Sequence, residues 1–340
     1  MKKMWLALAL ALALPAAPAT AEEYTIKVAT VAPEGSTWAN VLSDFDKELR
    51  KRTNGQVKLK IYPGGVQGDE RVVLRKIRAG QLQGGAFTGL GIGEFAPSVR
   101  VLELPFQYRS YEETDHLHAK LDRVFEAEME RNGYVLLGWA EVGFVYMFSN
   151  KKLSSLAEVK AAKPWCWEGE PIATETFKAF GVSPVPLGLP DVLTMLQTGH
   201  IDTVYASPSA CIALQWHGKL AYMLETPLGN ATGAMVVEKR FFDAMPEDLR
   251  KITREVGREF AAKFVVATRE ENERAKKLLV DEYKMELVKW DAKETAGFVG
   301  VGAKVGDELA GKLYTKALLD KVRELIDQLR QKKPGAGAGG

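Results

Sequence analysis

Cysteine is nearly missing from this chain: 340 residues hold two, Cys166 and Cys211. A single pair excludes a disulfide-dense scaffold and a four-cysteine zinc site. The two residues are left either to form one disulfide or to stand as buried free thiols, and free thiols are the favoured reading. Neither has a histidine nearby that would make it a nucleophile. Histidine itself is scarce, with four in the chain. His116 and His118 are two apart and do not share a helix face, while His200 and His217 lack ligand-spaced partners, so no metal site is expected. Catalytic signatures are missing as well. There is no P-loop and no Gly-x-Ser-x-Gly, and "GLGIGE" has Glu94 where a dinucleotide fingerprint needs its third glycine. The acidic residues are scattered over helical stretches, where solvated faces are the default. No enzyme activity and no cofactor are expected.

Charge of one sign is also lacking. Lys2 and Lys3 belong to a basic start followed by "LALALALAL" and the small-x-small site Ala19-Thr20-Ala21, so residues 1–21 read as a secretory signal peptide. Without those two lysines, 44 basic residues face 44 acidic ones. That balance argues against nucleic acid and against electrostatic membrane binding. Beyond the leader, no segment approaches 18 uninterrupted apolar residues, and no cysteine near the cleavage site offers a lipid anchor. A soluble, exported, periplasmic protein is expected.

What is present is an alternation of periods. "YTIKVATVA" reads as a strand, Ser36 to Arg52 as a helix with Trp38, Val41, Leu42, Phe45 and Leu49 on one face, and "QVKLKIYP" as a second strand. "GDERVVLRKIRAG" is a short amphipathic helix closed by Gly80. Residues 133–150 read as two strands, "KPWCWEG" as another, "TETFKAFG" and "LPDVLTMLQTGHID" as helices, and "TVYA" as a strand. Such alternation predicts an α/β protein with largely parallel sheets. From Pro246 to about Lys284 a helical pattern runs with Gly257 as its one internal interruption, long enough to brace two domains. The tail "QKKPGAGAGG", residues 331–340, reads as disordered. In "KPWCWEG", Trp165 and Trp167 point to one face and Cys166 to the other, which raises the choice between core filling and the wall of a binding site.

Four stretches fall in a recognisable order: residues 27–82, beginning "KVATVAPEGSTWANVL", then "FAPSVRVLELPFQYRSYEETDHL", then "LQTGHID", then "MPEDLRKI". Through them the chain resembles the solute-binding subunits of tripartite ATP-independent periplasmic (TRAP) transporters, DctP type. The resemblance implies a two-domain periplasmic binding protein fold, with a ligand cleft between the domains, closure around solute, and delivery to membrane permease subunits. The domains it suggests are 22–142 plus about 228–271, and 143–227 plus about 272–330.

Acid-binding members carry an Arg in the strand after a "DLKG" motif, where its planar fork holds a ligand carboxylate. Here that position falls on Trp165, and a second basic position falls at or near Val145. The stretch whose Asn contacts ligand reads "DTVYASP", which puts Tyr205 and Ala206 at that wall. The "GGAFTG" run sets Phe87 and Thr88 where other members have a polar or charged residue. The expected site is therefore apolar, with Trp165, Trp167, Val145, Tyr205, Ala206 and Phe87 as its core, Trp38, Phe144 and Trp216 at its edges, and a polar head near Thr88, Tyr205 or Ser207. Phe144, Tyr146 and Phe148 alternate with Val145 and Met147, so one set should face core and the other cleft. Arg at position 165 should weaken an apolar ligand and leave the fold intact.

The solute expected from this wall is hydrophobic or amphipathic, a fatty acid, lipid or aromatic compound, because buried apolar surface contributes ~25 cal/mol per Å² while an unpaired carboxylate is costly there. Two alternatives stand beside it. One is an ordinary organic-acid binder with a displaced basic residue, for which Arg100 and Arg109 are the candidates. The other is a lipid carrier without a permease, partnered by a periplasmic helical-repeat protein.

Overall fold

The computed structural model describes residues 22–332. The signal-peptide reading of residues 1–21 and the tail from residue 333 onward lie outside them. Gln331 and Lys332, read from sequence as part of the tail, instead close the helix Lys316–Lys332.

Ten strands lie among the described residues: β1 (Tyr24–Ala29), β2 (Val57–Tyr62), β3 (Gly84–Thr88), β4 (Tyr134–Ser149), β5 (Trp165–Trp167), β6 (Val185–Leu187), β7 (Thr203–Ala206), β8 (Tyr222–Leu224), β9 (Gly229–Glu238) and β10 (Glu286–Val288). The main sheet runs β10-β8-β4-β9-β3-β1-β2, with β7 also on β4, and β5 pairs with β6 in a separate ribbon. The first unit forms as its periodicity predicts. The Ser36 side chain accepts from the Ala39 N–H and caps the helix Thr37–Arg52, which buries Leu42, Phe45 and Leu49. On either side of β1, parallel pairing brings in β2 and β3.

Two expectations are corrected. The sheets are mixed rather than largely parallel, because β9 enters antiparallel between β3 and β4, and β4 also meets β7 and β8 antiparallel. Alternation along the chain reports the order of elements and is blind to the direction in which a returning strand enters. The stretch read as two strands is one, β4, whose irregularities at Leu136/Gly138 and Glu141/Gly143 are bulges and not a turn. Its first part pairs with β9 and its last four residues with β7 and β8, so a single strand serves both halves of the molecule.

The long helix is present as Glu247–Asp281, 35 residues, about 52 Å at 1.5 Å per residue. Its interruption at Gly257 has a packing reason. A Cβ there would collide with the Leu137 carbonyl, and the facing Gly138 lies as close to Gly257 and Ala261, so helix and β4 meet backbone to backbone. Farther along, the buried face turns polar at Thr268 and Asn272. Asn272 Nδ2 donates to the Val142 carbonyl at 2.9 Å, and its Oδ1 accepts from Ser209 N at 3.1 Å and Ser209 Oγ at 2.7 Å. One amide thus ties β4 at its second bulge to the helix Pro208–Ala213. Replacing Asn272 with the near-isosteric Leu leaves the half-buried Val142 carbonyl and Ser209 N–H without this partner. The expected cost is about 2–4 kcal/mol in urea unfolding, with a loss below 1 kcal/mol assigning the amide no bracing role.

Candidate functional site

Between the two halves lies a cavity of ≈ 250 Å³. On β4, Val145 and Met147 face it, while Phe144, Tyr146 and Phe148 pack on the opposite side, Phe144 against Tyr111. Phe144, expected at the edge of the site, therefore does not line the cavity, since the pleat of β4 turns it away. Phe87 is also misplaced by the sequence reading. It is 1% exposed in the core, packed on Phe95, and absent from the cavity wall. Thr88, Ala206 and Ser207 do line the cavity. Both hydroxyls among them have inward commitments: Thr88 Oγ1 donates to Glu70, and Ser207 Oγ accepts from the Ala210 N–H as a helix cap.

The tryptophan pair is at once core and wall. Trp165 stacks on Tyr205 at 4.8 Å between ring centroids, meets Trp216 edge-on at 5.4 Å and lies 5.9 Å from Trp167. All four rings border the cavity, yet Trp165 is 1% exposed. The polar atoms of the pair and of Tyr205 are engaged: Trp165 Nε1 donates to the Leu187 carbonyl, the Trp167 N–H to Tyr205 Oη, and Trp167 Nε1 to Asp69 Oδ2 at 2.9 Å. From across the cavity Trp38 closes the wall and packs edge-on to Phe264. Cys166 points the other way, to a separate core cluster, and both cysteines are free and buried.

The residue that sequence reasoning undervalued is Arg100. Of the two arginines considered, Arg109 is exposed, whereas Arg100 is 4% exposed and borders the cavity. It sits on the 3₁₀ turn Pro97–Glu103. Its Nη1 pairs with Glu103, and its Nη2 lies 2.6 Å from both oxygens of Glu170, the N-cap of the helix Pro171–Ala179. Nε has no partner in the protein. Backbone donors hold both carboxylates, Thr232 N on Glu103 at 2.6 Å and Ile172 N on Glu170 at 2.8 Å. Burial alone would lower the Arg100 guanidinium, but Glu103 and Glu170 raise it, so it is a permanent cation. Burial also pushes Glu103 up to about 7, with Arg100 pulling down and Glu170 pushing up.

A glycine makes room for this cluster. A Cβ on Gly89 would collide with the Arg100 Nη1 and both Glu103 oxygens. "GLGIG" is thus the clearance for an ion pair, and its spacing was the one sequence signal that something bulky packs there. The neighbouring Glu70, 1% exposed, accepts from Thr88 N, Thr88 Oγ1 and Gly91 N; burial pushes it up to about 8 against those hydrogen bonds. The acidic residues read as solvated faces therefore include at least three that the fold buries.

Two clasps cross the cavity, Arg100–Glu170 and Asp69 to both Trp167 Nε1 and the Leu189 N–H at 3.1 Å. This arrangement of two α/β halves on a shared strand, a bracing helix and an enclosed site agrees with the comparisons. The family model DctP, "Bacterial extracellular solute-binding protein, family 7", matches residues 28–312. The chain belongs to this family. Among DctP-family relatives, it is similar to the C4-dicarboxylate-binding periplasmic protein DctP of Rhodobacter capsulatus, 26% identical over 92% of this chain and 94% of that one. It is also similar to the 2,3-diketo-L-gulonate-binding periplasmic protein YiaO of Escherichia coli K12, 23% identical over 83% and 80%. Solved structures share the fold: the sugar acid binding protein DctPAm of Advenella mimigardefordensis with galactonate has TM-score 0.84 at 18% identity, covering 90% of this chain and 99% of that one. A TRAP solute-binding protein of Shewanella oneidensis with succinate gives 0.83 at 20%, covering 89% and 99%. Like these neighbours, this DctP-family chain has two domains and a long helix, and no helix among its described residues is long and apolar enough to cross a membrane.

Burial also corrects what substitution at position 165 should do. An Arg there would enter a stacked core, so Trp165→Arg disturbs the fold as well as the wall. Trp165→Ala removes a fully buried indole from between Tyr205 and Trp216, and the expected loss is about 3–5 kcal/mol in thermal or urea unfolding. A loss under about 1 kcal/mol would mean the ring does not support the wall.

Proposed function

We infer that this protein is the periplasmic solute-binding subunit of a TRAP transporter, and that it captures a small organic acid with an apolar body for its membrane permease subunits. The observation that carries this reading is Arg100, a buried cation on the cavity wall whose Nε has no partner. It is the displaced basic residue that the acid-binding alternative required. Relatives named for dicarboxylate and diketogulonate binding, and neighbours holding galactonate and succinate, support an acid over a purely hydrophobic solute or a lipid. The wall around the cation is unlike one for a sugar acid. Trp165, Trp167, Val145, Met147, Ile172 and Leu214 offer apolar surface, which favours an aromatic or branched body. The volume, below the roughly 300–1,000 Å³ of typical ligand sites, suits a small molecule and not a two-tailed lipid. Closure then follows from contacts that solute makes with both halves at once. The reading gives no role to a helical-repeat partner.

A second reading is a neutral apolar solute, favoured because Glu103 and Glu170 already neutralise Arg100. Tryptophan fluorescence titration separates the two, using 3-phenylpropanoate, its uncharged amide and succinate. The acid is expected to bind at least tenfold more tightly than either of the others, and Arg100→Gln to abolish that preference. An amide that binds as well as the acid supports the neutral reading; succinate binding most tightly overturns the apolar body.

A further inference from the structure

The charge count at Arg100 sets a condition on any acid that enters. Arg100 and Glu103 come from one 3₁₀ turn and Glu170 from the helix across the cavity, and their side chains are 5%, 6% and 9% exposed. One guanidinium already faces two carboxylates. A solute carboxylate would be the third around a single cation, in a region largely withdrawn from water, where like charges a few ångströms apart do not all stay ionised. Glu103 holds Nη1 and Glu170 holds Nη2, so beyond the buried Nε a solute carboxylate gains a forked pair only where one of these carboxylates lets go.

We propose that this cleft takes up its acid together with one proton, drawn from solvent and lodged on Glu103, so that Arg100 turns its Nη1 edge from Glu103 to the solute carboxylate. The proposal rests on the acid reading above and adds its regulation: capture is tied to pH. Protonated Glu103 keeps its Thr232 N–H contact and gives up only its claim on the cation.

The groups packed around the cluster leave few other sites for that proton. Tyr205 on β7, Tyr108 after the 3₁₀ turn and Tyr314 near the last helix all have hydroxyls raised by burial, and Cys166 on β5 is raised by burial to about 11, so these stay neutral at ordinary pH. Glu271 borders the cavity from the long helix, and Glu70 lies on the other side of the Gly89–Gly93 helix. Glu170 holds Nη2 from across the cavity, and a pH effect arising from it or from either of these would survive removal of Glu103.

The sign follows from linkage. Without ligand Glu103 sits near 7; a third carboxylate raises it further, so the complex binds more protons than the free protein above that point. Affinity is then level below about pH 7 and weakens by up to tenfold per pH unit above it.

The test is fluorescence titration with 3-phenylpropanoate and with hexanoate from about pH 5.5 to about pH 9, on the wild type and on Glu103→Gln. The wild type should weaken at least tenfold over the upper part of that range, and Glu103→Gln should hold the low-pH affinity throughout. Calorimetry of the wild type at about pH 8 in two buffers of different ionisation enthalpy should count about one proton taken up per acid bound, which needs no variant to fold. Wild-type binding that is level across the range, with no proton taken up, overturns the proton and leaves the acid reading standing. A pH dependence that persists in Glu103→Gln overturns the assignment to that residue. Binding of neither probe at any pH overturns the acid reading and this inference with it.

Discussion

The structure turns on one guanidinium that two buried carboxylates hold from opposite sides of the cavity. Arg100 and Glu103 are fixed by their 3₁₀ turn and by the room that Gly89 leaves, and Glu170 by capping the helix that follows it. Removing Arg100 from such a buried triplet costs about 3–5 kcal/mol, because the two carboxylates are then stranded without a cation. The cluster therefore joins two tasks. It draws the halves together, and it sets the only fixed positive charge that the described wall presents to a solute.

Around that charge the wall is apolar, for reasons that begin in strand geometry. On β4 the pleat sends Val145 and Met147 to the cavity and Phe144, Tyr146 and Phe148 to the core. The register that sets Met147 against Tyr205 brings that ring beneath Trp165. The Trp165 and Trp167 N–H groups and the Thr88 hydroxyl are committed within the protein, and among the described residues Arg100 is the one cationic group left on that wall for the proposed acid.

Much of this was legible in the sequence where the cause is local. The first βαβ unit, the long helix and the tryptophan strand followed from periodicity and capping, and the family from the order of four short stretches. Trp165, Trp167, Val145 and Tyr205 were placed on the cavity by that resemblance combined with strand alternation, whereas Trp38 fitted the core face of its helix equally well. The misses share a different cause. Phe87 and Phe144 depend on which face of a strand the rest of the fold covers, and β9 entering between β3 and β4 depends on a contact between distant segments. Arg100 could not be told from Arg109 in the sequence because its partners lie three residues away and 70 residues away, and only the second of these reaches it from across the cavity. Glu70, Glu103 and Glu170 were missed likewise, since burial of an acid shows only once its donors are in place.

The most direct test is a crystal structure of the protein purified from a bacterial periplasm with whatever solute it retains, or with 3-phenylpropanoate added if it retains none. The acid group should lie within hydrogen-bond distance of the Arg100 guanidinium, with its apolar body between Trp38 and the Trp165–Trp167 pair. A solute whose polar group sits on Thr88 or Ser207, with Arg100 still clasped by both Glu103 and Glu170, would contradict the role given to the cation.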